Sequence, residues 1–180
     1  MIHISECCCD AALYKYSYPG VVPLGRGDVV WSTNYWGRQF KIEFDIKVTK
    51  ELTDTWHSVF HVTTGENYNY YGSRIPAVWA NKAKYFHICS GVSGNKNYYK
   101  DVQYQLNQLH HFEIKQGENS NGEIIYSIKV DGVTVLQVVN NMPTRFEEVI
   151  LYQSDPWYPS FASFGELKDF SIVNLDKFPA

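Results

Sequence analysis

An all-β sandwich is the fold this sequence predicts, and three observations predict it. From Gln39 to Lys50, Phe40, Ile42, Phe44, Ile46 and Val48 alternate with Lys41, Glu43, Asp45 and Lys47, a period of two that sends the two sets to opposite faces of a strand. Short segments of the same kind recur between Gly, Asn, Pro and Asp turns, making about ten or eleven strands. No stretch carries a helical period, and Ala80 to Lys84 (ANKAK) is long enough for one turn at most. Five apolar side chains on one face of a strand need a second layer to cover them. Two antiparallel sheets packed as a jelly roll meet that need. An immunoglobulin sandwich fits less well, since it needs only ~100 residues and a Cys–Trp–Cys pattern.

The strands follow in order. Tyr14 to Val22 (YKYSYPGVV) alternates aromatic and polar residues up to Pro19-Gly20, and Leu24 to Trp31 (LGRGDVVW) leads into a second strand. The tripeptide Arg26-Gly27-Asp28, which many integrins read, sits there without the loop context such a motif requires. After the long alternating strand comes Thr55 to Thr64 (TWHSVFHVTT), with Val59 and His61 on one face and Phe60 and Val62 on the other. Ile75 to Trp79 and Lys84 to Ser90 are strand-like, and Gly65 to Ser73 and Gly91 to Tyr99 read as loops rich in Gly, Asn and Tyr. Gln108 to Lys115 turns through GENSNG into Glu123 to Val130, and Asp131-Gly132 then reverses the chain into VTVLQVV, a strong two-residue hairpin signal. Glu147 to Gln153, the loop SDPWYPS and Glu166 to Asn174 complete the series.

Composition narrows the function. At 180 residues, with 44% hydrophobic and 19% charged, the chain is a globular domain able to bury a substantial core. A net charge of −3 argues against a nucleic-acid partner, which calls for a basic face. No apolar run approaches the ~20 residues that cross a bilayer. The start, MIHISECCCDAAL, shows no secretory signal. The chain divides into a cysteine-containing segment, residues 1–13, and a single domain, residues 14–180. The spacing of Cys7, Cys8, Cys9 and Cys89 fits neither a zinc ribbon nor a CxxC pair. Either Cys89 bridges to one of the three, or the chain is a cytosolic protein with exposed thiols in which Cys89 is simply a small buried apolar residue.

The histidines show no metal or catalytic spacing. His57 and His61 share a strand face but lie too far apart to chelate one ion, and His110 and His111 point to opposite faces. No HExxH, GxSxG or P-loop occurs. Loop oxygen donors at Asp28, Asn34, Asp155 and Asp169 suit calcium better than zinc.

Taken together, KIEFDIKV, WHSVFHVTTG, RIPAVW, LHHFEIKQG, IYSIKVDGVTVLQV and the ending EVILYQSDPWYPSFASFGELKDFSIVN form a series. It resembles the concanavalin-A-like lectin and glucanase superfamily, in particular laminin-G-like modules of extracellular animal proteins. The shared features are His110 or His111, the Val130-Asp131-Gly132 turn, and Gly165-Glu166 before the closing strand. The resemblance implies an extracellular location, a last strand pairing near the first, and a possible structural calcium with Asp169 as its carboxylate. Laminin-G modules carry a late cysteine pair, whereas nothing after Cys89 is cysteine. Glucanases of the superfamily place Glu-x-Asp-x-Glu on one strand. Glu43-Phe44-Asp45-Ile46 begins that pattern, but Lys47 stands in the third acid's place, so no second glutamate protonates a leaving oxygen.

The remaining signal lies in GENYNYYGSR, SGNKNYY and SDPWYPS, where Tyr and Trp rings stand beside Asn, Asp and Arg. Sugar rings stack C–H faces on aromatics and offer hydroxyls to amides and carboxylates, and protein partners use the same mix. The candidate ligand-binding residues are Tyr68, Asn69, Tyr70, Tyr71, Arg74, Asn97, Tyr98, Asp155, Trp157 and Tyr158. The expected function is non-enzymatic recognition of a carbohydrate or an extracellular protein by these loops. A structural or adhesive, self-associating domain is the alternative, and a glycoside hydrolase comes third.

Overall fold

A computed structural model of the chain describes residues 15–23, 27–53, 55–158 and 164–176. Among these, twelve strands run in chain order: β1 (Lys15–Pro23), β2 (Asp28–Thr33), β3 (Phe40–Val48), β4 (His57–Thr63), β5 (Ala77–Ala80), β6 (Tyr85–Val92), β7 (Asn95–Gln103), β8 (Leu109–Glu118), β9 (Ile124–Val130), β10 (Val133–Val139), β11 (Val149–Gln153) and β12 (Gly165–Asn174). They form two six-stranded antiparallel sheets, ordered β1-β12-β3-β8-β9-β10 and β2-β11-β4-β5-β6-β7. The two-sheet sandwich expected from the sequence is the observed fold. The last strand pairs with the first, β12 lying between β1 and β3.

The alternating stretch does what its period dictates. Every apolar residue of β3 is buried and every charged one between them is half-buried. Phe44 stacks on Phe112 at 5.1 Å and meets the edge of Phe60 at 5.1 Å, so a strand of each sheet grips it. The outward face carries paired charges: Lys41–Glu43 at 2.9 Å, Asp45–His111 at 2.6 Å, Lys47–Glu166 at 2.7 Å and, on the neighbouring strands, Glu113–Lys129 at 2.9 Å. Cross-strand register sets the last three directly opposite one another. Half-exposed pairs of this kind add little stability and mainly fix register.

Two local features depart from the sequence reading. A register shift between Ser58 and Phe60 on β4 puts Ser58, not His57, on the face of His61. His57 instead lies against the core residue Phe164, ring centres 5.3 Å apart. The stretch Gly91 to Tyr99 is mostly strand: Ser93 (φ 49°) and Gly94 (φ 80°) make a two-residue turn from β6 into β7, the same geometry as Asp131 (φ 51°) and Gly132 (φ 79°) between β9 and β10. Residues 80–84 make one hydrogen-bonded turn, within the single turn expected: the Lys84 N–H donates to the Asn81 carbonyl at 3.0 Å, and Asn81 Oδ1 accepts from the backbone N–H groups of Ala83 and Tyr85. His110 and His111 do face opposite ways, the first buried beside Phe86 and the second exposed. Cys7, Cys8, Cys9 and Arg26 lie outside the described residues; Asp28 opens β2, and Cys89 is buried on β6.

The link from β2 to β3 is tied to the end of β12. Asp176 is buried and accepts from the backbone N–H of Arg38 at 2.8 Å, that of Gln39 at 2.9 Å, and the Tyr35 hydroxyl at 3.0 Å. Gly37 lets this happen, because a Cβ there would stand 2.9 Å from Asp176 Cγ and would strike Asn174 Oδ1. Gly37→Ala is therefore expected to cost about 2 kcal/mol, lowering the melting midpoint by roughly 4–8 °C, as a thermal melt followed by circular dichroism will show.

Candidate functional site

The second sheet is unusual in being covered on its outward face too. All seven residues of β4 and all four of β5 are buried, although only every other side chain of a strand reaches the inter-sheet core. Register brings two outward rows together. Ser58, Trp79, His87 and Asp101 form one row, and His61, Ala77, Cys89 and Tyr99 the next, each crossing β4, β5, β6 and β7. Ala77, Trp79 and Cys89 make a small outer core, with Trp56 and Tyr158 packed against it.

A cleft of about 400 Å³ opens over these rows. Its aromatic walls touch in sequence: Trp56 to His87 at 4.9 Å, His87 to Tyr99 at 4.7 Å, His87 to Trp79 at 6.0 Å, and Trp79 to Tyr158 at 5.7 Å. Tyr99 is 55% exposed, so its ring is presented to solvent. Three polar side chains, Arg74, Asn97 and Asp101, complete the lining. The Asp101 carboxylate lies 2.7 Å from His87 Nδ1. The Arg74 guanidinium lies 5.4 Å from the Trp79 ring centre and donates through Nε to Asn67 Oδ1 at 2.8 Å and through Nη1 to Asn97 Oδ1.

One wall is held from below by Asp155, which is fully buried. Its Oδ1 accepts from the backbone N–H of Trp157 at 3.1 Å and of Tyr158 at 2.9 Å. Its Oδ2 accepts from Trp79 Nε1 at 3.2 Å and lies 3.0 Å from His61 Nδ1, while His61 Nε2 lies 2.6 Å from the Ser73 carbonyl. Burial pushes the Asp155 carboxyl upward, but His61 and the Tyr158 N–H overcome it and hold the group below the ordinary carboxylate range. Burial also pushes the Cys89 thiol up to about 11 despite the nearby Arg74 charge, so Cys89 is a neutral thiol rather than a nucleophile.

The structure gathers only part of the set expected from sequence. Arg74, Asn97 and Tyr158 line the cleft. Asp155 lies beneath it, and Trp157 turns its ring to His61 and Tyr152 beside it. Tyr98 packs against the main core, because alternation along β7 sends Tyr99 outward instead. Tyr71 is occupied elsewhere: its ring stacks on Phe146 and its hydroxyl donates to the Met142 carbonyl. Tyr68 and Tyr70 are exposed on the loop between β4 and β5, and the Asn69 carbonyl accepts from Lys96 Nζ at 2.7 Å. Trp56, Trp79, His87, Tyr99 and Asp101 join the site unforeseen; the alternation in NKNYYKD is the signal that would have found the last two.

Asp169, the expected calcium carboxylate, accepts from the Gly20 N–H at 3.2 Å and lies 3.4 Å from Lys168 Nζ. Among the described residues no group of three or more His, Cys, Asp or Glu side chains gathers as metal ligands would. A second opening of about 290 Å³, lined by Tyr16, Val30, Phe60, Leu151 and Phe170, lies between the two sheets near β1 and β2. It is mostly apolar, and its one side-chain amide, Gln153, donates to the Pro23 carbonyl at 2.9 Å, so it offers few of the polar groups that give a ligand site its specificity.

No family model matches the sequence, and no curated protein matches it. Solved structures do share the fold. The binding domain of botulinum neurotoxin serotype G is similar over 91% of this chain and 44% of that one, at 13% identity and a TM-score of 0.54. The native heptameric SAP-like pentraxin of Limulus polyphemus is similar over 84% and 75%, at 11% identity and 0.54. A Trypanosoma rangeli sialidase is similar over 77% of this chain, at 12% identity and 0.52, with only 21% of the sialidase covered. The chain thus spans less than half of the toxin domain and about a fifth of the sialidase. These are jelly-roll and sandwich folds of the lectin-like kind. Among the described residues no helix is long and apolar enough to cross a membrane.

Proposed function

We propose that this protein is a non-enzymatic recognition module that binds a glycan in the cleft over β5, β6 and β7. The observation that carries the proposal is the cleft's composition: exposed or half-exposed rings of Trp56, Tyr99 and Tyr158 beside Arg74, Asn97 and Asp101 in one depression. Rings of this kind stack on the C–H face of a pyranose, and the amide, carboxylate and guanidinium meet its hydroxyls. Similarity in fold to a toxin binding domain and a pentraxin supports a binding module. The finer assignment, a laminin-G-like member of the concanavalin-A-like superfamily acting outside the cell, belongs to the same proposal. It draws support from the β1–β12 pairing and the Val130-Asp131-Gly132 turn. A non-catalytic reading is supported by Glu43 and Asp45, which are engaged by Lys41 and His111.

One observation favours a second reading, self-association. β10 is an edge strand without a charged residue or proline, and Val133 and Val139 on it are exposed. Such an edge invites another strand.

A glycan array run with and without calcium tests both. The wild-type protein is expected to bind a restricted set of glycans. Tyr99→Ala is expected to lose about 2 kcal/mol, roughly thirtyfold in affinity, as removal of a stacking anchor does. Its melting midpoint should barely move, because Tyr99 is more than half exposed. An array with no bound glycan, together with a concentration-dependent dimer in light scattering, would put self-association ahead.

A further inference from the structure

We propose that the glycan this cleft selects bears a carboxylate, which docks on the guanidinium of Arg74. The inference rests on the glycan reading above and names the chemical class within it. Arg74 is half-buried, and its side-chain partners are the oxygens of Asn67 and Asn97 and the Cys89 thiol, all neutral. Its remaining neighbour is the face of Trp79, also neutral. Among the described residues no carboxylate forms an ion pair with it, in contrast to Lys41, Lys47, Lys84 and Lys129, which each have one.

The two acids of this neighbourhood are already engaged. Asp101 lies against His87, and Asp155 takes its donors from His61, Trp79 and two backbone N–H groups. The cleft therefore holds a cation whose countercharge is not supplied by the protein beside it.

The clamp on Arg74 also fixes how that charge is offered. Asn67 holds Nε and Asn97 holds one Nη1 proton. Neither asparagine bonds Nη2, and guanidinium N–H groups are planar, charge-assisted donors suited to a carboxylate. Two amides fixing a planar fork lower the ordering cost of that contact, which a lysine in the same place would not do. Along the row Trp79–His87–Asp101, the far end lies two strand spacings from Trp79, about 10 Å. A sugar ring stacked on the aromatic walls can thus put its carboxylate on Arg74 and its hydroxyls toward Asp101.

The test uses an array carrying uronate- and sialate-terminated glycans, each printed beside its carboxyl-reduced form, in which only the carboxylate has become an alcohol. Wild-type protein is expected to bind carboxylate members about tenfold or more tighter than their reduced partners. Arg74→Gln should remove that preference while leaving binding to reduced forms in place, and Arg74→Lys should restore it only in part. Equal binding of the two forms by the wild type would overturn the carboxylate inference and leave the glycan reading standing. Loss of both forms alike in Arg74→Gln would also overturn it, showing that Arg74 only braces the loop between β4 and β5 against β7. Absence of binding to every glycan, acidic or neutral, would instead end the glycan reading itself.

Discussion

Phe44→Asp is expected to leave the chain without a cooperative unfolding transition at room temperature. Phe44 is fully buried, stacked on Phe112, edge-on to Phe60 and tilted against Phe170 at 6.1 Å. An ionised carboxylate has no partner among those rings, and such a charge costs well above 5 kcal/mol unless it protonates. That is about the whole stability of a domain this size. Phe44→Leu keeps most of the volume and should cost only about 1 kcal/mol. Urea melts of the pair will separate the polarity effect from the packing effect. A Phe44→Asp protein melting at the wild-type midpoint would mean that β3 does not face the opposite sheet.

The second large effect is expected at Asp155. Asp155→Asn keeps the shape but sets an NH₂ against two of the four donors and leaves His61 without its carboxylate. Removing a buried carboxylate and leaving its donors unpaired costs several kcal/mol, about 3–5. The cost should depend on pH in a definite sense. Because the folded protein holds Asp155 below the ordinary carboxylate range, its contribution is present above the unfolded value of about 4 and is lost as pH falls through the lower folded value. The difference in melting midpoint between wild type and Asp155→Asn should therefore be wide at pH 7 and narrow below about pH 4. A gap of constant width down to pH 2 would contradict the ionised, multiply bonded Asp155. Glycan affinity should fall in the same variant, since Tyr158 and Trp157 hang from that carboxylate through their backbone N–H groups.

How much of this was legible in the chain depends on the range over which each signal acts. Strand β3, the Asp131-Gly132 hairpin and the opposite faces of His110 and His111 follow from neighbours in sequence, and all three are as read. The face of His57 departs from period-two counting because a bulge at Val59 adds a residue that the counting cannot see. In Gly91 to Tyr99 the Asn and Gly content signals a loop and masks the alternation of Lys96, Tyr98, Lys100 and Val102 with Asn97, Tyr99 and Asp101, which is what separates outward Tyr99 from inward Tyr98. In Ser154-Asp155-Pro156-Trp157-Tyr158 the aspartate capping two following N–H groups is a local pattern. Its burial under Trp79 is not, since 76 residues separate the two. The cleft itself is a product of register between β4, β5, β6 and β7, so it exists only once the strands are laid side by side. Composition alone points to Arg74, whereas its neutral partners depend on the fold.

The place where a glycan touches the protein tests the proposed site most directly. With the tightest-binding member of the array titrated into ¹⁵N-labelled protein, the largest chemical-shift changes are expected at the Trp56 and Trp79 indole N–H groups, Arg74 Nε and the Tyr99 backbone amide. Changes confined to the Tyr68–Tyr70 loop, to β10 or to the charged face of β3, with those four signals unmoved, would contradict it.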